Sequence, residues 1–284
     1  MSRNDLKASV SVIIPTFNRR QLLERAVDSV LAQTRPADEI IVIDDGSTDG
    51  TEVLVKKKYP GITYLPQTNH GVSHARNQGI RKAKGNWLAF LDSDDVWLPG
   101  KLEKQLNALF RQPPFKICHT GEIWIRKGRR VNPMKKHSKS GGDLFTRCLP
   151  LCVISPSTVI LHHSLFRRYG MFDESLPVCE DYDMWLRLCA FMPVLFLPES
   201  LIIKYGGHRD QLSRKFWGMD RFRIQALEKI IADPALIEKK RLAAVQMILK
   251  KITIYLEGAI KREKQDDVKT FTALRKKYEI LLQE

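Results

Sequence analysis

Trp87-Leu88-Ala89-Phe90-Leu91-Asp92-Ser93-Asp94-Asp95 is the stretch that decides the fold. Trp87 to Leu91 is an unbroken apolar run, the pattern of a strand covered on both faces, as in a parallel sheet. Three carboxylates follow at once. In open α/β sheets ligands bind at the carboxyl ends of the strands. Carboxylate oxygens are hard donors suited to Mg²⁺ or Mn²⁺. On an extended segment Asp92 and Asp94, two residues apart, would point the same way and could share one divalent ion on a diphosphate. A solvated acidic turn would read the same, because Asp also favours turns and caps.

Upstream of this stretch the pattern repeats. Val10–Pro15 is a short apolar strand, closed by a loop over Thr16–Arg19, and Leu22, Leu23, Ala26, Val27, Val30 and Leu31 then recur at helical spacing. Glu39–Ile43 is a second strand. It runs into Asp44-Asp45-Gly46-Ser47-Thr48-Asp49-Gly50-Thr51, where Ser47 or Thr48 is placed to cap a helix over about 49–57. Ile62–Leu65 is a third strand. Asn69–Gly79 leads into a helix reaching about Ala83, with Ser73 as its expected cap and His74 and Arg76 on its first turns. Pro99 opens a helix through about Phe110. The alternation β-α-β-α-β-α-β-α specifies a parallel sheet with right-handed crossovers. No Gly-x-Gly-x-x-Gly follows the first strand and no Gly-x₄-Gly-Lys-Ser/Thr occurs, so a nicotinamide Rossmann domain and a P-loop NTPase are disfavoured.

The chain has 284 residues, a formal net charge of +15 and 43% hydrophobic residues. That is enough for a real core. The basic balance points to anionic partners: a phosphorylated substrate or membrane headgroups, in preference to nucleic acid, for which no finger, RNP or zipper pattern is present. No apolar run is long enough to span a bilayer or to act as a signal peptide, so the sequence reads as cytoplasmic, or peripheral on the inner face of the membrane. Cys148 and Cys152 are spaced CxxxC without a second pair. The five cysteines are therefore expected as free thiols rather than zinc ligands.

These four motifs, Val10–Arg19, Asp44–Thr51, Gly71–Gly79 and Asp92–Asp95, resemble those of the family-2 glycosyltransferases, inverting enzymes with the GT-A nucleotide-diphospho-sugar transferase fold. The resemblance covers the chain to about residue 110, extends more thinly to about 215, and stops before the C-terminal tail. It implies an α/β GT-A fold, with a mostly parallel central sheet flanked by helices and a helical C-terminal extension. Residues 1–110 would form the nucleotide-sugar-binding half, 111–215 the acceptor-binding and catalytic half of the same domain, and 216–284 the extension. Pro15, Thr16, Phe17 and Arg19 would line the nucleotide pocket, with Asp45, or less directly Asp44, meeting the base, expected to be uracil. Arg76 could face a phosphate or a base. Asp92 and Ser93 would face ribose and diphosphate. Asp94, with Asp92 and His208, would hold Mn²⁺ or Mg²⁺.

In the second half, Ile117–Ile125 reads as a strand, Gly128-Arg129-Arg130 as a hairpin turn, and Ser157–Leu161 as a further strand. Cys179–Leu188 opens a helix whose first turn carries Glu180, Asp181 and Asp183, acids that a helix dipole favours there in any case. By resemblance Asp181 is the general base, and Glu180 and Arg214 meet the acceptor or the diphosphate. Leu195–Pro198 and Leu201–Tyr205 read as two short strands. From about Phe216 the chain reads helical, with stripes at Leu227, Ile230 and Ile231 and at Ala244, Met247, Ile248, Lys251, Ile252 and Tyr255. Those helices would pack on the domain, pair two copies, or lie on an anionic membrane. The implied activity is metal-dependent, inverting, non-processive transfer from a nucleotide-diphosphate sugar, a UDP-sugar first, to a glycan or lipid-linked saccharide hydroxyl. The alternatives are a sugar nucleotidyltransferase and a catalytically degenerate binding protein of the same fold.

Overall fold

The computed structural model describes residues 8–132, 134–207 and 216–283. Its first half follows the expected alternation. β1 (Val10–Thr16) is buried along its whole length and lies between β2 (Glu39–Asp44) and β4 (Trp87–Phe90), parallel to both. β3 (Thr63–Pro66) extends the parallel set beyond β2. The helices α1 (Arg20–Leu31), α2 (Thr51–Lys58) and α3 (Val72–Lys82) are the crossovers.

The rest of the sheet is mixed. The order is β3-β2-β1-β4-β8-β6-β9-β5, with β7 appended to β6. β8 (Ile160–His162) is antiparallel to β4 and to β6 (Ile117–Arg126). β9 (Leu195–Gly206) is parallel to β6, and β5 (Val96–Trp97) closes the edge antiparallel to β9. Helices α4 (Lys101–Arg111), α5 (Phe145–Cys148), α6 (Ser164–Tyr169) and α7 (Glu180–Phe191) cover the faces. Both faces are buried, as the apolar runs require. Ile13, Ile41, Ile43 and Phe90 pack to one side, and Val12, Ile14, Val42 and Leu91 to the other.

The C-terminal helices α8 (Asp220–Ile231), α9 (Glu238–Ile260) and α10 (Gln265–Leu281) join the first of these cores. The stripe Ala244, Ile248, Ile252 and Tyr255 is buried within the chain, and Lys251 Nζ donates to Pro150 O and Asp220 Oδ1 at 2.8 and 3.0 Å. That face is therefore taken up by packing on the domain.

Several local expectations differ from the fold. Neither Ser47 nor Thr48 caps α2. The N-cap is Gly50 at φ +83°, and Asp49, just before it, accepts from Thr51 N–H through Oδ1 at 3.1 Å. Ser47 and Thr48 instead bind Asn18 across the first loop. Ser73 lies inside α3, whose cap is Gly71 at φ +92°. The β6–β7 turn is Lys127-Gly128, both at positive φ, a two-residue turn matched to strand twist. Arg129 and Arg130 therefore begin β7 (Arg129–Val131). Pro156 starts a short 3-10 turn over Pro156–Thr158, so β8 begins only at Ile160. The two strands expected over 195–205 are one, with Pro198 and Glu199 bulged out between the pairs Thr120↔Leu197 and Gly121↔Ser200. A bulge is where a strand tolerates proline's missing N–H.

Gly79 is where α3 touches the sheet. A Cβ there would lie 2.5 Å from Ile13 Cγ2 and 2.8 Å from Ile43 Cδ1. Overpacking of this kind costs typically about 1–3 kcal/mol. Gly79→Val is expected to lower the urea midpoint accordingly without changing the m-value.

Candidate active site

The carboxyl ends of β1, β2, β4 and β9, with the first turns of α3 and α7, surround a cleft of about 360 Å³. Pro15, Thr16, Phe17, Arg19, Asp45, Arg76, Asp92, Ser93, Asp94, Glu180 and Asp181 all line it. Asp44 does not. Its Oδ2 accepts from Tyr64 OH at 2.5 Å and its Oδ1 from Ser47 N–H at 2.8 Å, so it ties β2 to β3 and to the following loop. His208 and Arg214 lie outside the described residues.

Asp45 is held from one side. Its Oδ1 accepts from Gln67 Nε2 (2.7 Å) and His70 N–H (2.8 Å), and its Oδ2 from Gly71 N–H (2.9 Å). Arg76, on α3, is 3% exposed and bridges two carboxylates: Nη2 to Asp92 Oδ1 at 2.7 Å and Nη1 to Glu180 Oε1 at 2.6 Å. Burial alone would pull its proton off more easily, but the two carboxylates reverse that and hold it tighter than usual. Asn77, the next residue, clamps the segment before α7. Its Nδ2 donates to Phe172 O and Glu174 Oε1, and its Oδ1 accepts from Phe172 N–H.

Strand β4 ends at Phe90, and Asp92 to Asp95 is a tight turn closed by Asp95 N–H to Asp92 O at 2.9 Å. Strand alternation therefore does not orient Asp92 and Asp94. They diverge onto different arginines, Asp94 pairing with Arg19 at 2.6 Å. Burial pushes Asp92 up, and Arg76 more than offsets it, leaving that carboxyl below its usual range. For Asp94 burial prevails over Arg19, with Asp92 adding to the upward shift.

Asp181 sits at the N-terminus of α7. The chain reaches it through Cys179 at φ +64°, a left-handed conformation uncommon for a residue with a side chain. Asp181 Oδ1 accepts from Tyr182 N–H at 2.6 Å, and Cys152 Sγ lies 3.3 Å from Oδ2. Glu180, beside it, is raised by burial and by Asp181 against Arg76.

Lys204 on β9 was not singled out from the sequence. It reads as one more polar residue in a strand, and only its pairing with β6 near that strand's carboxyl end brings it to the cleft. Burial disfavours its charge, but Glu122, Asp95, Asp92 and Asp181 together raise it above the usual lysine value. Asp95 was grouped with the other acids but is structural. Its Oδ2 accepts from Ser157 Oγ at 2.7 Å and its Oδ1 from Tyr205 N–H at 3.2 Å.

The cleft lining thus carries six carboxylates, Asp45, Asp92, Asp94, Asp95, Glu180 and Asp181, against three basic groups, Arg19, Arg76 and Lys204. The excess of hard oxygen donors fits a divalent cation. Among the described residues no three His, Cys, Asp or Glu come together as a group that could hold a metal ion. Thr16 Oγ1 and Arg76 Nε, on residues that line the cleft, are buried with no hydrogen-bond partner among the described residues.

A curled, mostly parallel sheet with an acidic cleft across its carboxyl ends defines the GT-A class of nucleotide-diphospho-sugar transferase folds. Residues 11–170 match the family model described as glycosyl transferase family 2, and the chain belongs to that family. An uncharacterized glycosyltransferase of Rickettsia typhi is 35% identical over 71% of this chain, which spans 65% of that relative's length. The Escherichia coli UDP-Glc:alpha-D-GlcNAc-diphosphoundecaprenol beta-1,3-glucosyltransferase WfgD is 31% identical over 63% of this chain and 69% of its own. Among solved structures, S. aureus TarS in complex with UDP-GlcNAc superposes with a TM-score of 0.75 at 19% identity, over 93% of this chain and 79% of that one. The mannosyltransferase PcManGT from Pyrobaculum calidifontis, in complex with GDP-Man and Mn²⁺, superposes with a TM-score of 0.63 at 18% identity, over 98% and 84%.

Removing one partner from a buried ion pair leaves an uncompensated charge and costs about 3–5 kcal/mol. Arg76→Met is expected to destabilise the chain by that order in urea unfolding, since it strands both Asp92 and Glu180.

Proposed function

We propose that the chain transfers a sugar from a nucleotide-diphosphate donor, a UDP-sugar first among them, to a hydroxyl of a glycan or lipid-linked saccharide, with inversion and without processivity. The observation that carries this reading is the meeting of Asp181 with Asp92 and Asp94 in one cleft. Asp92 and Asp94 are at the end of β4, Asp181 is at the start of α7, and Arg76 spans the gap through Glu180. Inverting transfer is one in-line displacement. A carboxylate must take the acceptor hydroxyl's proton as its oxygen attacks the anomeric carbon. Asp181 is assigned that task. Pro15, Thr16 and Phe17, a residue 41% exposed at the cleft, are assigned to the base and ribose, with Asp45 accepting from the base.

Asp94, with Asp92, is assigned to a Mn²⁺ or Mg²⁺ ion. Bound there, a divalent ion supplies charge neutralisation for the departing diphosphate. The excess of carboxylates supports the assignment, because an anionic diphosphate entering alone would be repelled. The names of the relatives fit the same chemistry: one acts with UDP-Glc on a diphosphoundecaprenol-linked sugar, and two solved structures hold UDP-GlcNAc and GDP-Man with Mn²⁺.

Asp181→Asn keeps the shape and the Tyr182 N–H contact but removes the base. Transfer measured by product formation is expected to fall by about 10²–10⁴-fold, with nucleotide affinity nearly unchanged; near-wild-type transfer would remove Asp181 from the role. A nucleotide panel in a thermal-shift assay checks the donor side. UDP with Mn²⁺ or Mg²⁺ is expected to stabilise the chain, by about 2.7 kcal/mol at a hundredfold excess over its dissociation constant, and EDTA to abolish the shift. An equal shift in EDTA would count against the cation, and a shift with GDP alone would change the donor.

A further inference from the structure

The acidic cleft has a basic rim. β6 and β9 run side by side toward the cleft, pairing Trp124 with Lys204, Ile125 with Tyr205 and Arg126 with Gly206. Lys204 and Tyr205 line the cleft, and the β6–β7 hairpin projects from the strand ends just beyond them. From Ile123 to Gly142 the sequence contains no Asp or Glu. Arg126, Lys127, Arg129, Arg130, Lys135 and Lys136 are all exposed.

Among the described residues, none of these six cations forms an ion pair. The acids that flank this run are engaged elsewhere: Glu122 is turned inward, its Oε1 accepting from Trp124 Nε1 at 2.7 Å and its Oε2 lying 3.5 Å from Lys139 Nζ, and Asp143 Oδ2 lies 3.0 Å from Lys240 Nζ. Burial first, then Lys136 and Arg126, push the His137 pKa down, against Glu122. Apolar groups are interleaved with the charge. Met134 is 61% exposed, Val131 is partly exposed, and the His137 ring packs on Trp124 at 5.3 Å.

We infer that the β6–β7 hairpin, with Met134, Lys135 and Lys136, forms a docking surface for an anionic phospholipid membrane, seating the cleft mouth at the bilayer. Unpaired cations interleaved with exposed apolar side chains suit an interface where headgroups meet acyl chains. A soluble polyanion fits less well. A chain long enough to cover the patch and enter the cleft would pass from cations to an excess of carboxylates, whereas a membrane touches the rim alone. The inference does not depend on the transfer reaction and can be tested without it.

The test is co-sedimentation of the purified chain with phosphatidylcholine vesicles containing no phosphatidylglycerol or about 30 mol% of it, at low and high salt. Binding is expected only with phosphatidylglycerol, and is expected to weaken with salt. Each cation near an anionic surface contributes about fivefold to partitioning. Arg129→Ser/Arg130→Ser is therefore expected to reduce partitioning by about 25-fold. Lys250→Ser/Lys261→Ser, on the exposed side of α9 and beyond it, removes the same charge elsewhere and is expected to leave partitioning within about twofold of the parent. Equal losses in the two variants would overturn the assignment, since net charge alone would then explain binding. So would equal binding to neutral vesicles. Hairpin-dependent binding to polyphosphate without vesicle binding would overturn it in favour of a soluble polyanion. Circular dichroism of the surface variants, expected to match the parent, separates loss of docking from loss of fold.

Discussion

One buried guanidinium holds the cleft together. Arg76 leaves the middle of α3, is almost wholly shielded from water, and joins the end of β4 to the start of α7 through Asp92 and Glu180. The desolvation of three charged groups is offset only because the pairs are short and face each other. α3 can reach both carboxylates because Gly79 lets it sit against Ile13 and Ile43, and because Asn77 fastens the segment ahead of α7 to the same helix. The end of β4 and the start of α7 are positioned by one helix.

The cleft holds so many carboxylates because they are restrained one by one. Each acid that lines it has a specific restraint. Asp45 accepts three hydrogen bonds, Asp95 is fixed by Ser157 and Tyr205, and Asp94 rests on Arg19. The negative charge left over is a property of the assembled site and of no single element. A basic rim beside it gives the protein two surfaces of opposite sign a few residues apart along β6 and β9.

Most of the parallel half could be read from the sequence. Its strands are continuous apolar runs, its helices keep strict periodicity, and both signals are local. The acids Asp45, Asp92, Asp94 and Asp181 were legible because they follow strands or open a helix. Asp44 was read with Asp45, but adjacent residues on an extended chain face opposite ways, and Asp44 turned to Tyr64. Lys204 and Asp95 were not legible as they act, because their partners come from elements distant in the chain. The bulge at Pro198 and the left-handed Cys179 depend on β6 and on α7 packing, which no short window contains.

The edge strand β5 has a consequence for how the chain is made. Its sheet partner is β9, through Val96↔Ile203 and Trp97↔Ile202, and β9 is synthesised long after it. Asp95, just before β5, likewise waits for Tyr205 N–H. During translation the parallel strands, the acids after β4 and those opening α7 emerge first, and the cleft wall that carries Lys204 and Tyr205 is added only once β9 has been made.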